Sequence, residues 1–259
     1  MSYKKFKLKN IQEIDLMSEN SHFTKISNEW IKNAQSYNYS HHFHFLGRPI
    51  IQYPQDIIAI QELIWNVKPD LIIETGIAHG GSLIMSASML ALIDICEAIN
   101  KNENINPKNS TRRVVGIDIE IRSENRKLIE KHPMYSRIEM IEGSSIDKKI
   151  IDKVHEISKN FKNIMIFLDS NHTYDHVLEE LNAYAKLTTV NSYCVVFDTF
   201  VNDLPEELSI KRPWGPTNNP RLAVLKYLKT HPEFMIDKKI TDKLQISVSP
   251  DGYLKRIEN

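Results

Sequence analysis

The sequence of 259 residues predicts an α/β protein with a Rossmann-like, doubly wound and mostly parallel sheet, helices on both faces and an N-terminal helical extension. Five short apolar runs have the length and composition of buried strands. Helix-length segments separate these runs, which is the pattern of a parallel sheet. No linker-like segment interrupts the spacing, so residues 1–259 are predicted to form a single domain, with residues 1–55 as an N-terminal cap and residues 205–220 as a substrate loop.

The predicted elements follow one another at regular spacing along the chain. Before the first strand, helices are expected over residues 11–34 and 55–66, and the second ends ahead of Pro69. The predicted strands are residues 71–73, 114–119, 138–143, 163–169 and 192–198. The helices between and after them are residues 83–99, 146–158, 174–187 and 221–230, and edge strands are expected to finish the chain.

The composition argues against several classes of partner, although local basic patches are still compatible with it. Lys and Arg total 33 and Asp and Glu total 33, so the formal net charge is zero, which argues against nucleic acid or an anionic membrane as the main partner. The N-terminus lacks the apolar core of a secretion signal, and no window reaches the roughly 18 uninterrupted apolar residues of a membrane span. Cys96 and Cys194 lie in apolar contexts that predict buried thiols. We therefore expect a soluble, cytoplasmic protein.

A glycine-rich loop follows the first strand and carries three of the chain's 8 glycines. Glycines there allow a tight turn and a close approach of the backbone to a ligand at the carboxyl end of the sheet. The spacing, E-x-G-x-x-x-G, differs from the G-x-G-x-x-G of dinucleotide-binding enzymes and from a phosphate loop. The pattern indicates S-adenosylmethionine rather than NAD or ATP. The predicted cofactor contacts in this loop are Glu74, Thr75, Gly76, His79, Gly80, Gly81 and Ser82.

Further cofactor contacts are expected where the next strands end. Asp118 closes the second strand, where its carboxylate can accept both ribose hydroxyls, and a helix-capping acid is the alternative. The loop after the third strand would reach the adenine ring through Gly143, Ser144 and Ser145, although these residues also fit an ordinary helix N-cap. Asp169, at the end of the fourth strand, is predicted to contact the cofactor as well.

Two acids end neighbouring strands of the predicted sheet. The carboxylates of Asp169 and Asp198 can therefore converge on one hard cation such as Mg²⁺, which prefers oxygen ligands. A third oxygen is expected from the hydroxyl of Thr199 or from the side-chain amide of Asn171. The alternative is that one acid only caps a helix or pairs with a basic side chain. The sequence thus predicts a metal site formed by Asp169, Asp198 and Thr199.

His172 lies three residues after Asp169, at the start of the next predicted helix. An imidazole can take a proton from a substrate hydroxyl while that oxygen attacks a methyl group, and a nearby cation would ease the deprotonation. We predict that His172 and Asp169 are catalytic, with a hydrogen-bonding cap as the alternative for His172. The adjacent His41, His42 and His44 have no cysteine partner, so zinc is not expected.

These motifs, taken in order, resemble those of the cephalosporin-hydroxylase-like family, which includes the rhamnosyl O-methyltransferases. The resemblance implies an S-adenosylmethionine-dependent methyltransferase with a Rossmann-like fold, a divalent metal at the mouth of the sheet and oligomeric assembly. The matching motifs are residues 45–56, 73–82, 116–119, 141–145, 168–172, 196–199, 214–220 and 250–254.

The same resemblance implies roles for individual residues. The family's metal ligands map onto Asp169 and Asp198. Many relatives have two acids in tandem at the end of the fifth strand, whereas Phe197 precedes Asp198 here, so Thr199 is taken as the substitute ligand. In the related catechol-type methyltransferases, a lysine three residues after the first metal-binding aspartate is the base, and His172 occupies that position in this chain.

The acceptor is expected to be a sugar. Arg48, Gln52, Trp214 and Asn218 lie in predicted loops, and aromatic and amide groups of this kind suit a sugar with an apolar face and many hydroxyls. For Trp214, packing within its own loop is the alternative. Family members often act in surface-polysaccharide biosynthesis, so the resemblance implies a small-molecule or glycan-linked sugar hydroxyl, for example in lipopolysaccharide O-antigen.

The sequence therefore predicts a metal-assisted, S-adenosylmethionine-dependent O-methyltransferase, with Mg²⁺ as the expected metal. The deprotonated sugar hydroxyl would displace the methyl group of the sulfonium in line. One alternative is an iron-dependent hydroxylase, which would need two histidines and one carboxylate. The other is a non-catalytic cofactor-binding protein. We also expect a homo-oligomer, with no nucleic-acid partner and no membrane span.

Overall fold

The computed structural model describes residues 1–258 and contains a seven-stranded sheet between two layers of helices. The helices are α1 (Tyr3–Glu19), α2 (Ser21–Gln35), α3 (Pro54–Val67), α4 (Gly81–Lys101), α5 (Ser123–Glu130), α6 (Lys148–Ser158), α7 (Tyr174–Tyr184), α8 (Pro220–Tyr227) and α9 (Lys238–Leu244). The strands are β1 (His44–Phe45), β2 (Arg48–Pro49), β3 (Leu71–Thr75), β4 (Arg113–Asp118), β5 (Ile138–Glu142), β6 (Ile164–Leu168), β7 (Tyr193–Val196), β8 (Phe234–Ile236) and β9 (Tyr253–Arg256).

The sheet has the strand order β5-β4-β3-β6-β7-β9-β8, and β1 and β2 form a separate hairpin. The five strands predicted from the sequence, β3 to β7, are parallel, and β9 and β8 complete one edge in antiparallel orientation. The chain moves outward from β3 to β4 and β5 on one side, then crosses to β6 and β7 on the other. This reversal creates a crevice at the carboxyl ends of β3 and β6, where ligands bind in such sheets. The predicted doubly wound fold is confirmed.

Both faces of the sheet are buried. Ile72 and Met165 belong to the core shared with α4, whereas Ile73 and Ile166 belong to the core shared with α7 and α8. Strands covered on both sides read as continuous apolar runs, which is why the sequence showed them clearly. Helix α4 is long and apolar enough to cross a membrane by length and composition alone, but half of its most apolar window is buried inside the protein, as in a core helix.

The structure differs from the prediction in several details. The single helix expected over residues 11–34 is two helices, because Asn20 leaves helical geometry and its side chain accepts a hydrogen bond from the amide of Phe23 at 3.0 Å. The β1–β2 hairpin, α5 and α9 were absent from the prediction. The predicted loop 205–220 is irregular, with one short 3-10 turn at Glu206–Leu208.

Candidate active site

The glycine loop turns between β3 and α4 and lies directly against the end of β6. Gly76 has a φ of +89°, and a Cβ atom there would lie 2.1 Å from the carbonyl oxygen of Asp169. A residue with a side chain cannot occupy this position without moving the backbone. Gly76 therefore brings the loop beside Asp169 at the crevice between β3 and β6.

Asp118 holds the glycine loop from the end of β4. Its Oδ2 atom accepts hydrogen bonds from the amides of Ile77 and Ala78, at 2.8 and 3.1 Å. Ala78 has a φ of +46°, an uncommon conformation for a residue with a side chain, and the bound carboxylate helps to stabilise it. The structure thus gives Asp118 a role in shaping the loop, and its predicted contact with ribose stays a prediction.

Arg48 supports the same loop and does not face an acceptor cavity, in contrast to the prediction. Its Nε and Nη2 atoms donate hydrogen bonds to the carbonyl of His79, at 2.9 and 2.7 Å, and Nη2 also donates to Asn125 Oδ1 at 3.0 Å. Asn125 in turn donates to the carbonyl of Ala78 at 2.9 Å. Arg48 is buried because the β1–β2 hairpin packs on the loop, a contact that no local sequence pattern reveals.

Asp169, His172 and Asp198 form a cluster at the carboxyl end of the sheet. One ligand atom from each lies within 4.8 Å of the others, and His172 Nε2 is 3.2 Å from Asp198 Oδ2. Gln52 donates a hydrogen bond from Nε2 to Asp169 Oδ2 at 2.9 Å. Asp198 has a φ of +55°, so the backbone turns sharply after β7 and places this carboxylate at the mouth of the sheet.

The cluster is suited to bind a cation. Burial, together with the nearby charges of Asp198 and Glu74, raises the pKa of Asp169 well above its usual range. A divalent cation would offset the repulsion between the two carboxylates and favour their ionised forms. The two carboxylates are oxygen donors of the kind that Mg²⁺ or Mn²⁺ prefers, and water can complete the coordination.

The third group of the cluster is His172, whereas the sequence predicted an oxygen of Thr199 or Asn171. The Thr199 hydroxyl is buried and donates a hydrogen bond to the carbonyl of Pro250. The Asn171 side-chain oxygen accepts hydrogen bonds from the amide and hydroxyl of Thr173, at 2.9 and 2.8 Å. Both side chains are therefore engaged with neighbouring protein groups, and His172 is the group beside the two acids.

Two cavities meet at this cluster. The first, here called the cofactor-side cavity, has a volume of about 200 Å³ and is lined by the glycine loop, Gln52 and Asp169. The second, the acceptor-side cavity, has a volume of about 300 Å³ and is lined by Gln35 at the end of α2, by residues 38–41 and 200–214, and by Val248. They share Ile51, His172 and Asp198. A group in one cavity can thus approach a group in the other beside the cluster.

Among the predicted cofactor contacts, five line the cofactor-side cavity: Gly76, His79, Gly81, Ser82 and Asp169. Other predicted cofactor contacts lie elsewhere: Glu74, Thr75, Gly80, Asp118, Gly143, Ser144 and Ser145. Ser145 is buried with its Oγ atom 3.0 Å from His176 Nε2, and the cap of α6 is Asp147. The cavity lining alone therefore does not place these residues against a cofactor, and their contacts stay predictions.

Glu74 faces inward from β3. It is 2% exposed and borders an internal cavity of about 20 Å³, with room for one water molecule, together with Gln52, Asp56 and Asp169. Burial raises the pKa of Glu74 to about 7, and the neighbouring Ser82 and Ser86 hydroxyls limit the rise. Glu74 thus lies behind the cluster, on the inner side of Asp169.

The two predicted acceptor residues from the C-terminal loop have different roles. Trp214 lines the acceptor-side cavity, and its ring lies edge-on to His172 with 4.8 Å between ring centroids. Asn218 instead stabilises the loop, since its Oδ1 atom accepts from the amide of Tyr174 at 2.7 Å and its Nδ2 atom donates to the carbonyl of Pro213 at 2.8 Å. The prediction of Asn218 as an acceptor contact is not supported by this geometry.

Several residues of the acceptor-side cavity were not predicted. Gln35 and Asn38, at and after the end of α2, and Arg212 lie in its wall. The guanidinium carbon of Arg212 lies 5.4 Å from the centroid of the Trp214 ring. These residues come from segments far apart in the sequence, and their polar character alone does not distinguish them from ordinary surface residues.

The fold, the glycine loop and the cluster at the strand ends define an enzyme of the Rossmann-like methyltransferase class. A family model described as "Rhamnosyl O-methyltransferase/CmcI" matches residues 37–257, and this chain belongs to that family. The rhamnosyl O-methyltransferase of Mycobacterium tuberculosis is 24% identical over 203 residues, which are 78% of this chain and 73% of that protein. The protein of the same name from Mycobacterium leprae (strain TN) is 24% identical over 162 residues, 62% of each chain.

Solved structures support the same fold. A structure of CmcI described with "Mg-SAM" has a TM-score of 0.54 at 16% identity and covers 84% of this chain and 78% of that one. CalS11, a "TDP-rhamnose 3'-o-methyltransferase", has a TM-score of 0.53 at 15% identity and covers 100% and 96%. The predicted enzyme class, an S-adenosylmethionine-dependent O-methyltransferase of the sugar type, is confirmed by the family. This result disfavours the hydroxylase and the non-catalytic alternatives.

Proposed function

We propose that this enzyme transfers a methyl group from S-adenosylmethionine in the cofactor-side cavity to a sugar hydroxyl in the acceptor-side cavity, assisted by a divalent cation. The observation that carries the proposal is that both cavities share His172 and Asp198. A methyl group moves in line between donor and acceptor, so the two molecules must approach from opposite sides of one point. The cluster lies at that point.

Asp169 and Asp198 would hold the cation, with His172 beside them. Each acid has one oxygen engaged by a neighbour, since Asp169 Oδ2 accepts from Gln52 and Asp198 Oδ2 lies beside His172. The Oδ1 atoms have no hydrogen-bond partner among residues 1–258 and remain available. When bound, a cation such as Mg²⁺ would orient the acceptor hydroxyl and lower its pKa.

His172 would take the proton of the acceptor hydroxyl. Its Nε2 atom belongs to the cluster, and the carboxylate of Asp198 at 3.2 Å would stabilise the imidazolium that forms. Trp214 packs against the imidazole and limits its movement. If Nε2 coordinated the cation instead, it could not take the proton, so the two roles of His172 differ in their pH dependence.

The sugar assignment has support from the family and from the cavity. Mycobacterial relatives are named rhamnosyl O-methyltransferases, and CalS11 is described as acting on TDP-rhamnose. In this chain, the cavity combines an aromatic ring, Trp214, with the amides of Gln35 and Asn38, which suits a deoxyhexose. We also propose that the enzyme is a homo-oligomer and acts in the cytoplasm. Its reaction would be a step of surface-polysaccharide or O-antigen synthesis.

The proposal can be tested with the purified protein in two measurements. Calorimetry should detect binding of S-adenosylmethionine. A methyl-transfer assay with rhamnosides and other deoxyhexosides should show turnover that EDTA abolishes and that added Mg²⁺ or Mn²⁺ restores. Turnover that is undiminished in EDTA would overturn the role of the metal. Tight cofactor binding without transfer to any sugar in the panel would overturn the assigned acceptor.

A further inference from the structure

A third, larger cavity adjoins the acceptor-side cavity. This outer cavity has a volume of about 400 Å³, within the usual range for small-molecule sites. It shares Phe200 and Leu204 with the acceptor-side cavity, so these two side chains stand between the two spaces. The polar side chains in its lining include Asn28, Lys32, Thr241 and Gln245.

Two further elements run along both cavities. On α2, Asn28, Ile31 and Lys32 line the outer cavity, and Gln35 lines the acceptor-side cavity. Residues at these spacings share one face of a helix, so one face of α2 forms a continuous wall. After α9, Ser247 lines the outer cavity and Val248 lines the acceptor-side cavity. The two cavities are thus neighbouring parts of one trough that the same elements enclose.

The wall formed by Ser247 and Val248 is fixed from behind by a buried acid. Asp56 is fully buried and accepts hydrogen bonds from the Ser247 hydroxyl at 2.6 Å, the Val248 amide at 2.9 Å and the Tyr253 hydroxyl at 2.8 Å. Gln245, two residues earlier, has a φ of +59°, which is strained for a residue with a side chain. The outer cavity therefore has a defined shape on this side.

The chemistry of the outer cavity favours an uncharged, hydroxyl-rich ligand. Arg221 is neutralised by Asp203 and Asp251, at 2.8 and 2.5 Å. Lys32 forms no ion pair with an acidic side chain among residues 1–258. Of the described residues that line the outer cavity, it is the one unpaired cation. Amides, hydroxyls and a single ammonium beside apolar side chains resemble the lining expected for a sugar residue.

We propose that the outer cavity is a second sugar subsite, which binds the glycosyl residue linked to the sugar that receives the methyl group. The natural acceptor is then the end of an oligosaccharide and not a free monosaccharide. This inference rests on the proposed function of the acceptor-side cavity. Helix α2 precedes residue 37, where the match to the family model begins, so this wall is a feature of the present chain beyond the matched region.

The test compares two acceptors that differ only in length: a methyl rhamnoside, and a disaccharide with the same rhamnose at its non-reducing end. We expect the wild-type enzyme to show a KM about 10-fold lower for the disaccharide, the gain from one or two net hydrogen bonds, with similar kcat. Asn28→Ala should raise the disaccharide KM several-fold towards the monosaccharide value. The control is Glu29→Gln, on the same helix but outside the cavity lining, which should behave as wild type.

The outcomes separate the two proposals. Transfer to neither sugar would overturn the proposed function itself. Transfer to both sugars with equal KM, unaffected by Asn28→Ala, would overturn the second subsite and leave the proposed function in place. A third acceptor, rhamnose 1-phosphate, tests the charge: a preference for it that Lys32→Gln abolishes would show an anion site and contradict a sugar subsite.

Discussion

The cofactor-side and acceptor-side cavities meet at Asp198 and His172 but are built in different ways. The cofactor-side cavity follows from main-chain contacts: Gly76 lies against the carbonyl of Asp169, and Asp118 binds two loop amides. The acceptor-side cavity is enclosed by side chains of Gln35, residues 38–41 and residues 200–214. Substitutions in the cofactor-side cavity should therefore disturb the glycine loop and the sheet. Substitutions in the acceptor-side cavity can alter ligand preference while the sheet stays intact.

The largest expected effect lies at the junction of the two cavities. Asp169→Asn keeps the size of the side chain but removes a charge from the cation site, so kcat should fall about 10³-fold at saturating Mg²⁺. The fold should be preserved, which circular dichroism can confirm. Asp175→Asn, a change of an exposed acid on α7, is the matched control. Wild-type turnover in Asp169→Asn would contradict the proposed cation site.

A substitution of His172 can decide whether its imidazole is the general base or a ligand of the cation. If it is the base, His172→Gln should lower kcat about 100-fold at neutral pH and remove the rise of kcat with pH that a general base causes. The Mg²⁺ concentration needed for half-maximal activity should then change little. His44→Gln, at an exposed residue of β1, is the control. A large increase in the Mg²⁺ requirement with an unchanged pH profile would instead make His172 a cation ligand.

The comparison of two glycines tests how strictly the main chain builds the cofactor-side cavity. Gly76→Ala adds a Cβ atom against the Asp169 carbonyl, and the resulting shift of the loop should weaken S-adenosylmethionine binding about 30-fold, or about 2 kcal/mol. Gly47 also has a positive φ, +86°, but a Cβ atom there would meet nothing within 4 Å. Gly47→Ala should therefore cost about 1 kcal/mol of stability from backbone conformation alone, with cofactor affinity unchanged.

Equal loss of cofactor affinity in both glycine variants would show that backbone strain, and not the contact with Asp169, controls the loop. The measurements are calorimetric titration for affinity and urea unfolding for stability.

The sequence predicted those parts of the site that depend on a strand and the residues directly after it. Strands β3, β6 and β7 are buried along their whole length. Asp169 directly follows β6 and Asp198 lies two residues after β7, so their meeting at one edge could be predicted from the order of the strands alone. Arg48 could not be interpreted in this way, because its partners His79 and Asn125 lie 31 and 77 residues further along the chain. The same holds for the wall of the acceptor-side cavity, where Gln35 and residues 38–41 meet residues 200–214 only through tertiary packing.

The pH dependence of the free energy of unfolding tests whether a protonated Glu74 is buried behind Asp169. Its folded pKa, about 7, is above its ordinary value of 4.5, so the folded protein binds the proton more tightly than the unfolded chain. Between these two pKa values the folded state carries more protons, and the free energy of unfolding therefore falls as pH rises. Glu74→Gln removes this dependence and should reduce the loss between pH 5 and pH 8 by about 2 kcal/mol.

Urea unfolding of both proteins at pH 5 and pH 8 measures this difference. Glu62→Gln, a change of a partly exposed acid on α3, controls for the loss of one carboxylate from the protein. An equal pH dependence in Glu74→Gln and wild type would contradict the burial of a protonated Glu74 behind Asp169.

The smallest expected effect concerns the acceptor-side cavity alone. Trp214→Leu removes a ring that lines the cavity and contacts His172, so the KM for the sugar should rise about 5- to 10-fold, as expected for the loss of about 1 kcal/mol of aromatic contact. The affinity for S-adenosylmethionine should stay unchanged. Trp65→Leu, at a residue of α3 that is 42% exposed and outside both cavities, is the control.

The KM of the sugar, compared with the affinity for S-adenosylmethionine, shows whether Trp214 binds the acceptor. If the ring only packs within its own loop, Trp214→Leu should lower stability in urea without a selective change in the KM of the sugar. If the ring binds the sugar, the KM should change while cofactor affinity and stability change little, because the cofactor-side cavity does not include Trp214. Parallel weakening of cofactor and sugar binding would mean that the two cavities are coupled through His172, and the proposed division between a main-chain cofactor side and a side-chain acceptor side would then be wrong.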